Sequence, residues 1–304
     1  MNSKTALITG ANGFFGTHLV RLLRTRFPKL AVYEVIMGAG RAEANSNSFN
    51  IDLLDRDAIA GIVYDVKPDY IFHLAGVIYS RVWQELYKGN VEITVNVLDA
   101  VLKQNTACRI IMPGSAAEYG RIIPADLPLT ERQALNPASP YGVAKAWQST
   151  LARYYAVQGA DVVIGRVFNV IGKGVSENLS IGAFISQLNK IKNHTLPPDI
   201  RVGNLRPKRD FIDIHDAVEG LIALALKGSR GEIYNICSGT SVSMEDILTM
   251  MIKKSGVQAT ITVDPERIKA ADIEDIYGSY QKIHLETGWR PVLSLEDSVM
   301  RLFS

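Results

Sequence analysis

Apolar residues along the chain fall into short buried runs separated by amphipathic stretches. Thr5–Thr9 is a compact apolar strand ended by Gly10. A helical pattern follows, with Leu19, Val20, Leu22 and Leu23 on one face, and it ends near Phe27-Pro28. Further strands are predicted over 32–37, 70–74, 109–112 and 162–167, with helices over 91–103 and 143–156 between them. Strand alternating with helix predicts an α/β protein, with a parallel sheet covered on both faces. Beyond about residue 170 the pattern loosens, and Gly172, Gly174 and Pro197-Pro198 punctuate shorter elements. This predicts a main unit over 1–170 and 206–238, and a smaller, discontinuous one over 171–205 and 239–304.

Composition narrows the class. With 47% apolar and 21% charged residues, the 304-residue chain can fill a sizeable core. A net charge of +2 argues against a nucleic-acid or membrane surface, so any basic group that binds an anion must be placed locally. Cys108 and Cys237 lie in apolar segments without metal-binding spacing and read as reduced, buried thiols, so no metal is expected. Neither a signal peptide nor an apolar run approaching membrane-spanning length is visible, which makes the cytoplasm the expected compartment.

Two segments carry chemistry. Gly10-Ala11-Asn12-Gly13-Phe14-Phe15-Gly16 joins the first strand to the first helix. Glycines there let the backbone turn tightly against a pyrophosphate, and the helix N-terminus offers free N–H groups and a favourable dipole. Farther on, Tyr141 and Lys145 are spaced to share one helical face. An ammonium beside a phenol lowers its pKa, which would let Tyr141 exchange a proton near neutral pH. Ser115 follows a strand, so its hydroxyl is expected at the carboxyl end of the sheet, where ligands bind. Asp52, with Leu53, follows a short strand and reads either as an adenine contact or as a turn carboxylate. His73-Leu74-Ala75-Gly76 ends another strand with small residues that let the chain pass close to a cofactor, while His73 alone reads as a satisfied core histidine.

The order GxxGFxG, HLAG, Ser-x-x-x-Tyr-Gly, PYGxxK, Arg-x-Phe-Asn-x-x-Gly and Arg-Asp-Phe-x-Asp resembles the extended short-chain dehydrogenases/reductases, the NAD-dependent epimerase/dehydratase family, from Gly10 to Pro291. The resemblance implies a doubly wound Rossmann sheet of about seven parallel strands with a smaller discontinuous substrate domain. It also implies a nicotinamide cofactor, a nucleotide-sugar substrate, and Ser115, Tyr141 and Lys145 as the catalytic triad. The cofactor would be held by Gly10, Asn12, Gly13, Phe14, Phe15, Gly16, Asp52, Leu53, Leu74, Ala75, Gly76 and Asn90, together with Tyr141 and Lys145. Tyr79, Ser115, Asn169, Arg209 and Arg267 would face the substrate, with the forked guanidinium of Arg209 on its pyrophosphate.

Departures from related groups bear on the reaction. Sugar dehydratases of this family carry an acidic residue just after the serine, where this chain has Ala116 and Ala117, so water elimination lacks its acid and base. Ala117 also replaces the cysteine of the combined epimerase-reductases. Segments of the C-terminal half, including Asp264-Pro265-Glu266-Arg267, resemble reductases of GDP-linked 4-keto-6-deoxymannose. Three readings stay open: a 4-ketoreductase, a 4-epimerase with tightly bound NAD, and a non-catalytic scaffold. Gly38 stands where a ribose-binding carboxylate is usual and Arg41 follows, which predicts NADPH as cofactor, with NADH as the alternative if Glu34 is that carboxylate. Family helices matching 91–103 and 143–156 pair between subunits, so a homodimer is expected, with Leu98, Val101 and Trp147 supplying apolar surface.

Overall fold

The computed structural model describes residues 4–38, 47–104, 107–268 and 273–303. In chain order its elements begin with β1 (Thr5–Thr9), α1 (Phe14–Arg26), β2 (Ala31–Ile36), β3 (Ser48–Asn50), α2 (Arg56–Val66) and β4 (Tyr70–His73). Next come α3 (Trp83–Tyr87), a π-helical turn (Lys88–Glu92), α4 (Ile93–Lys103), β5 (Arg109–Ser115), α5 (Pro140–Val157) and β6 (Asp161–Val167). Then follow β7 (Asn169–Ile171), α6 (Ser180–Lys192), β8 (Asp199–Val202), β9 (Lys208–Arg209), β10 (Phe211–Asp213), α7 (Ile214–Lys227) and β11 (Ile233–Ile236). The chain closes with β12 (Val242–Ser243), α8 (Met244–Ser255), β13 (Thr260–Val263), β14 (Asp275–Ile276), α9 (Gln281–Thr287) and α10 (Leu295–Phe303).

Seven strands form one parallel sheet in the order β3-β2-β1-β4-β5-β6-β11. The chain runs outward from β1 in one direction and from β4 in the other, so the crevice at their carboxyl ends is the topological switch point where ligands bind. The period-two pattern of the strands explains why both faces are covered. Ala6, Ile8, Phe72, Ile111 and Val163 point into one core with α1 and α7. Their neighbours Leu7, Ile71, Ile110, Val162 and Ile164 point into the other, with α2, α4 and α5. A third core joins α6, α8 and α10 to β8 and β10 through Phe184, Leu188, Ile200, Phe211, Leu248, Met251 and Val299. Among the described residues no helix is long and apolar enough to cross a membrane.

Local signals set the boundaries. Ser139 caps α5 by accepting from the Gly142 N–H at 3.0 Å, and Pro140 occupies the first helical position, so α5 starts three residues before the predicted 143 and takes Tyr141 into its first turn. β5 runs on to Ser115, three residues past its predicted end, because its pairing with β6 continues to Ser115 opposite Val167. The expectation that Leu98 and Val101 supply surface to a partner is wrong: they are 0% and 2% exposed, packed inside the chain between α2 and the sheet. A helix laid on a sheet buries its apolar stripe within its own subunit first, and here the stripe of α4 is used up that way. Of the three residues named, Trp147 does face outward, 47% exposed.

Candidate active site

The turn after β1 is built for close approach. Gly10 has φ +67°, and a Cβ there would lie 2.7 Å from the Ala75 nitrogen, so only glycine lets β1 leave the sheet beside the end of β4. Leu74 N–H donates to the Thr9 carbonyl at 3.1 Å and Ala75 N–H to Thr9 Oγ1 at 3.3 Å, holding the Leu74-Ala75-Gly76 turn against the cradle. Gly13 precedes α1 and no side chain caps its first turn, so the helix presents its positive end and the N–H groups of Phe14 and Phe15 to the crevice. This cradle fits a dinucleotide pyrophosphate. Asn12 is exposed and donates to the Met37 carbonyl at 3.3 Å. Asp52 is exposed and accepts from Leu54 N–H at 2.9 Å, while Leu53 is buried. Glu34, the alternative ribose carboxylate, is paired instead with Arg24 at 2.5 Å. Arg41 lies outside the described residues.

Ser115, Tyr141 and Lys145 converge at the ends of β5 and α5. Ser115 Oγ accepts from Ala117 N–H at 3.2 Å and stands close enough to the Tyr141 hydroxyl to lower its pKa. A Cβ on Gly142 would stand 2.4 Å from the Ala117 carbonyl oxygen, so the glycine beside Tyr141 lets α5 press against the serine turn. The Lys145 ammonium, 5% exposed, donates to the Pro113 carbonyl at 2.6 Å and to the Gln148 side-chain oxygen. Burial lowers its pKa to about 8, against the opposing charge of Glu118. The expected lowering of the Tyr141 pKa is not found. Burial pushes the phenol up to about 12, opposed by Ser115 and reinforced by the Glu118 carboxylate. Spacing alone showed that Tyr141 and Lys145 share a face; desolvation, which it does not reveal, sets the direction of the phenol's shift.

Glu118 holds this corner together. One carboxylate oxygen accepts from Ser115 N–H at 2.7 Å, and the other accepts from Arg166 Nε and Nη2 at 3.1 and 2.8 Å. Both side chains are buried, at 0% and 2% exposure. The sequence reading missed Glu118 as a site residue; the available signal was a carboxylate in an otherwise small and apolar turn. It missed Gln148 too, although that residue is one helical turn from Lys145.

The remaining predicted residues are distributed around the crevice. Asn169 begins β7, and its side chain donates to the Asp210 carbonyl at 3.1 Å. Arg209 ends β9 and donates to the Lys208 and Ile273 carbonyls at 2.8 and 2.6 Å. The buried Asp210 carboxylate between them accepts from the N–H groups of Ser238, Gly239 and Gly278, which ties β9 to the end of β11. Arg267 belongs to another element, the turn after β13, where it faces Asp264 at 3.3 Å and donates to the Arg201 carbonyl at 3.1 Å. Tyr79 is exposed. Asn90 is buried, and its amide donates to the Val77 and Leu86 carbonyls, both at 2.9 Å, so it shapes the segment after Gly76.

The profile of the NAD dependent epimerase/dehydratase family matches residues 6–237. The chain belongs to that family. It is an NAD(P)-dependent enzyme. GDP-6-deoxy-D-mannose reductase of Pseudomonas aeruginosa is 28% identical over 302 residues, covering 98% of this chain and 95% of that protein. UDP-glucose 4-epimerase GEPI48 of Cyamopsis tetragonoloba is 27% identical, covering 98% of this chain and 93% of that protein. Among solved structures, RMD from Pseudomonas aeruginosa complexed with NADPH superposes with a TM-score of 0.88 at 25% identity, over 99% of this chain and 96% of that one.

Removing one member of a buried ion pair strands the other charge. Glu118→Ala should therefore cost about 3–5 kcal/mol of unfolding free energy in urea titrations, and Glu118→Gln less, since it keeps an acceptor for Arg166. A loss below about 1 kcal/mol in the alanine variant would show that Arg166 does not depend on this carboxylate.

Proposed function

We propose that the protein is a nucleotide-sugar 4-ketoreductase, reducing the C4 ketone of a GDP-linked 4-keto-6-deoxyhexose with NADPH. The observation that carries this reading is the convergence of Ser115, Tyr141 and Lys145 where α5 presses on the serine turn, with the phenol held protonated by burial. It is equipped to deliver a proton, which ketone reduction requires. The one carboxylate of the serine turn, Glu118, is engaged by Arg166 and by Ser115 N–H, and Ala116 and Ala117 carry no acid, which argues against elimination chemistry. A nicotinamide bound at the cradle would supply the hydride that the ketone carbon receives. Tyr141 gives its proton to the ketone oxygen, and the Ser115 hydroxyl, whose oxygen accepts from Ala117 N–H, turns its own proton from the phenol to the developing alkoxide. Lys145 holds the nicotinamide ribose and, as an ammonium, stabilises the phenolate left after transfer. Tyr79, Asn169 and Arg209 of the main unit and Arg267 of the smaller unit, 171–205 and 239–304, face the nucleotide-sugar.

The similarity to a reductase named for a GDP-linked deoxysugar supports the substrate class. A second reading, 4-epimerase, draws support from the UDP-glucose 4-epimerase relative. Stoichiometry separates them: a reductase consumes one NADPH per GDP-4-keto-6-deoxymannose converted, and an epimerase shows no net consumption. In the same assay Tyr141→Phe should lower kcat by at least about 100-fold with little change in cofactor affinity. Near-normal turnover of that variant would remove Tyr141 as the proton donor.

NADPH is preferred over NADH in this reading, because Glu34 is held by Arg24 and Gly38 follows β2 where a ribose carboxylate would stand. Arg41 then pairs with the 2′-phosphate. Measured kcat/KM should favour NADPH and lose that preference in Arg41→Ala; a wild type that prefers NADH would contradict it.

We also propose a homodimer in which α5 supplies the apolar contact and α4, its apolar stripe buried within the subunit, adds only its outer face. Trp147 is the support, outward-facing and packed edge-on to Trp83 at 5.6 Å, an aromatic pair that stays half exposed in one subunit. Light scattering at micromolar concentration should give twice the 33.4 kDa chain mass, and Trp147→Arg should shift it toward the monomer. A wild-type protein of single-chain mass would refute the pairing.

A further inference from the structure

We propose that Gln148 is a positioning residue for Lys145, its side-chain oxygen aimed at the ammonium by a buried hydrogen-bond chain that reaches back to the glycine cradle. The inference rests on the reading of Lys145 as a member of the catalytic triad.

The chain consists of Lys145, Gln148, Thr94, His73 and Thr9, drawn from α5, α4, β4 and β1, and all five side chains are buried. Its bond directions follow from counting protons. Thr94 Oγ1 donates its only hydrogen to the Asn90 carbonyl at 2.6 Å. It must therefore accept from its other two partners, Gln148 Nε2 at 2.8 Å and His73 Nε2 at 3.0 Å. His73 thus carries its proton on Nε2. Its Nδ1 then accepts from Thr9 Oγ1 at 2.8 Å, and Thr9 Oγ1 accepts in turn from Ala75 N–H. Burial keeps that imidazole neutral, lowering its pKa to about 3. With its amide nitrogen committed to Thr94, Gln148 can present only its oxygen to Lys145.

The consequence falls on the ammonium. Two of its three N–H groups go to the Pro113 carbonyl and to Gln148, which leaves one, in a set direction, for a ligand oxygen or Tyr141. The titratable groups facing Lys145 are Tyr141 on its own helix, Glu118 on the turn after β5 with its partner Arg166 on β6, and the neutral His73 at the end of β4. An acceptor bonded to the charged form raises the pKa, so Gln148 works with Glu118 against desolvation.

The test is a titration of Lys145 by NMR with lysine labelled at 13Cε, its resonance assigned by its loss in Lys145→Met. Wild type should titrate near 8. Gln148→Met removes the acceptor and should lower the pKa by about one unit, and Gln148→Glu, which keeps the shape and adds charge, should raise it by at least about one unit. Thr94→Val frees the amide and should shift it in the same direction as Gln148→Met, by less. If the Lys145 titration is unmoved in both Gln148 variants, the positioning role is overturned; should the methionine variant fail to fold, the glutamate variant decides alone. Turnover is measured in parallel, with GDP-4-keto-6-deoxymannose and NADPH. Gln148→Met should lower kcat about tenfold, and Lys145→Met should abolish turnover. Retained turnover in Lys145→Met would overturn the triad reading, whatever the titration shows.

Discussion

The buried pair of Glu118 and Arg166 is the contact on which the serine side of the crevice depends. Arg166 comes from β6 and Glu118 from the turn after β5, so their 2.8 Å bond closes the gap where neighbouring strands leave the sheet. The guanidinium lies over the Tyr119 ring at 4.5 Å, and the Tyr119 hydroxyl donates to the Asn235 side chain on β11 at 2.7 Å. Three adjacent strand ends are thereby locked, and Ser115 is fixed through its own N–H. Charges taken so far from water are tolerated only when paired and hydrogen-bonded, so the contact admits little alternative geometry.

On the other side of Ser115 the same low polarity acts on the reactive groups. Burial raises Tyr141 and lowers Lys145, so each is driven toward its neutral form. Glu118 raises both, holding the proton on the phenol while helping to keep the lysine charged. One carboxylate thus has a structural task and an electrostatic one, and its engagement by Arg166 keeps it from being a third acid in the site.

The sheet explains why these groups can be so close while coming from distant parts of the chain. Parallel strands deliver every carboxyl end to one edge, so Thr9, His73, Ser115 and Arg166 stand along one rim although they span the sequence from 9 to 166. The cradle and the reactive groups are then joined through the interior: His73 links β1 to α4, and Gln148 links α4 to Lys145. That interior connection is polar in a region otherwise packed by aliphatic side chains, and it is satisfied at each step.

Short, continuous apolar runs alternating with amphipathic helical stretches were enough to specify a covered parallel sheet, because a strand apolar at every position must be buried on both faces. The glycine turn, Ser115, Tyr141 and Lys145 were legible for a related reason: each depends on spacing within a few residues or on its place at a strand end. Start and stop positions were less so. The Ser139-Pro140 cap and the continued pairing of β5 with β6 moved two boundaries by three residues. What only the tertiary structure decided were the effects of surroundings. Leu98 and Val101 carry an apolar pattern that suits an interface or a core equally, and the packing of α2 against α4 chose the core. Tyr141 and Lys145 are adjacent either way, and desolvation set the direction of their proton affinities. Glu118 meets Arg166 across 48 residues and Gln148 meets Thr94 across 54, and no periodicity reports such pairs, because a hydrogen bond between elements exists only once the sheet has brought them together.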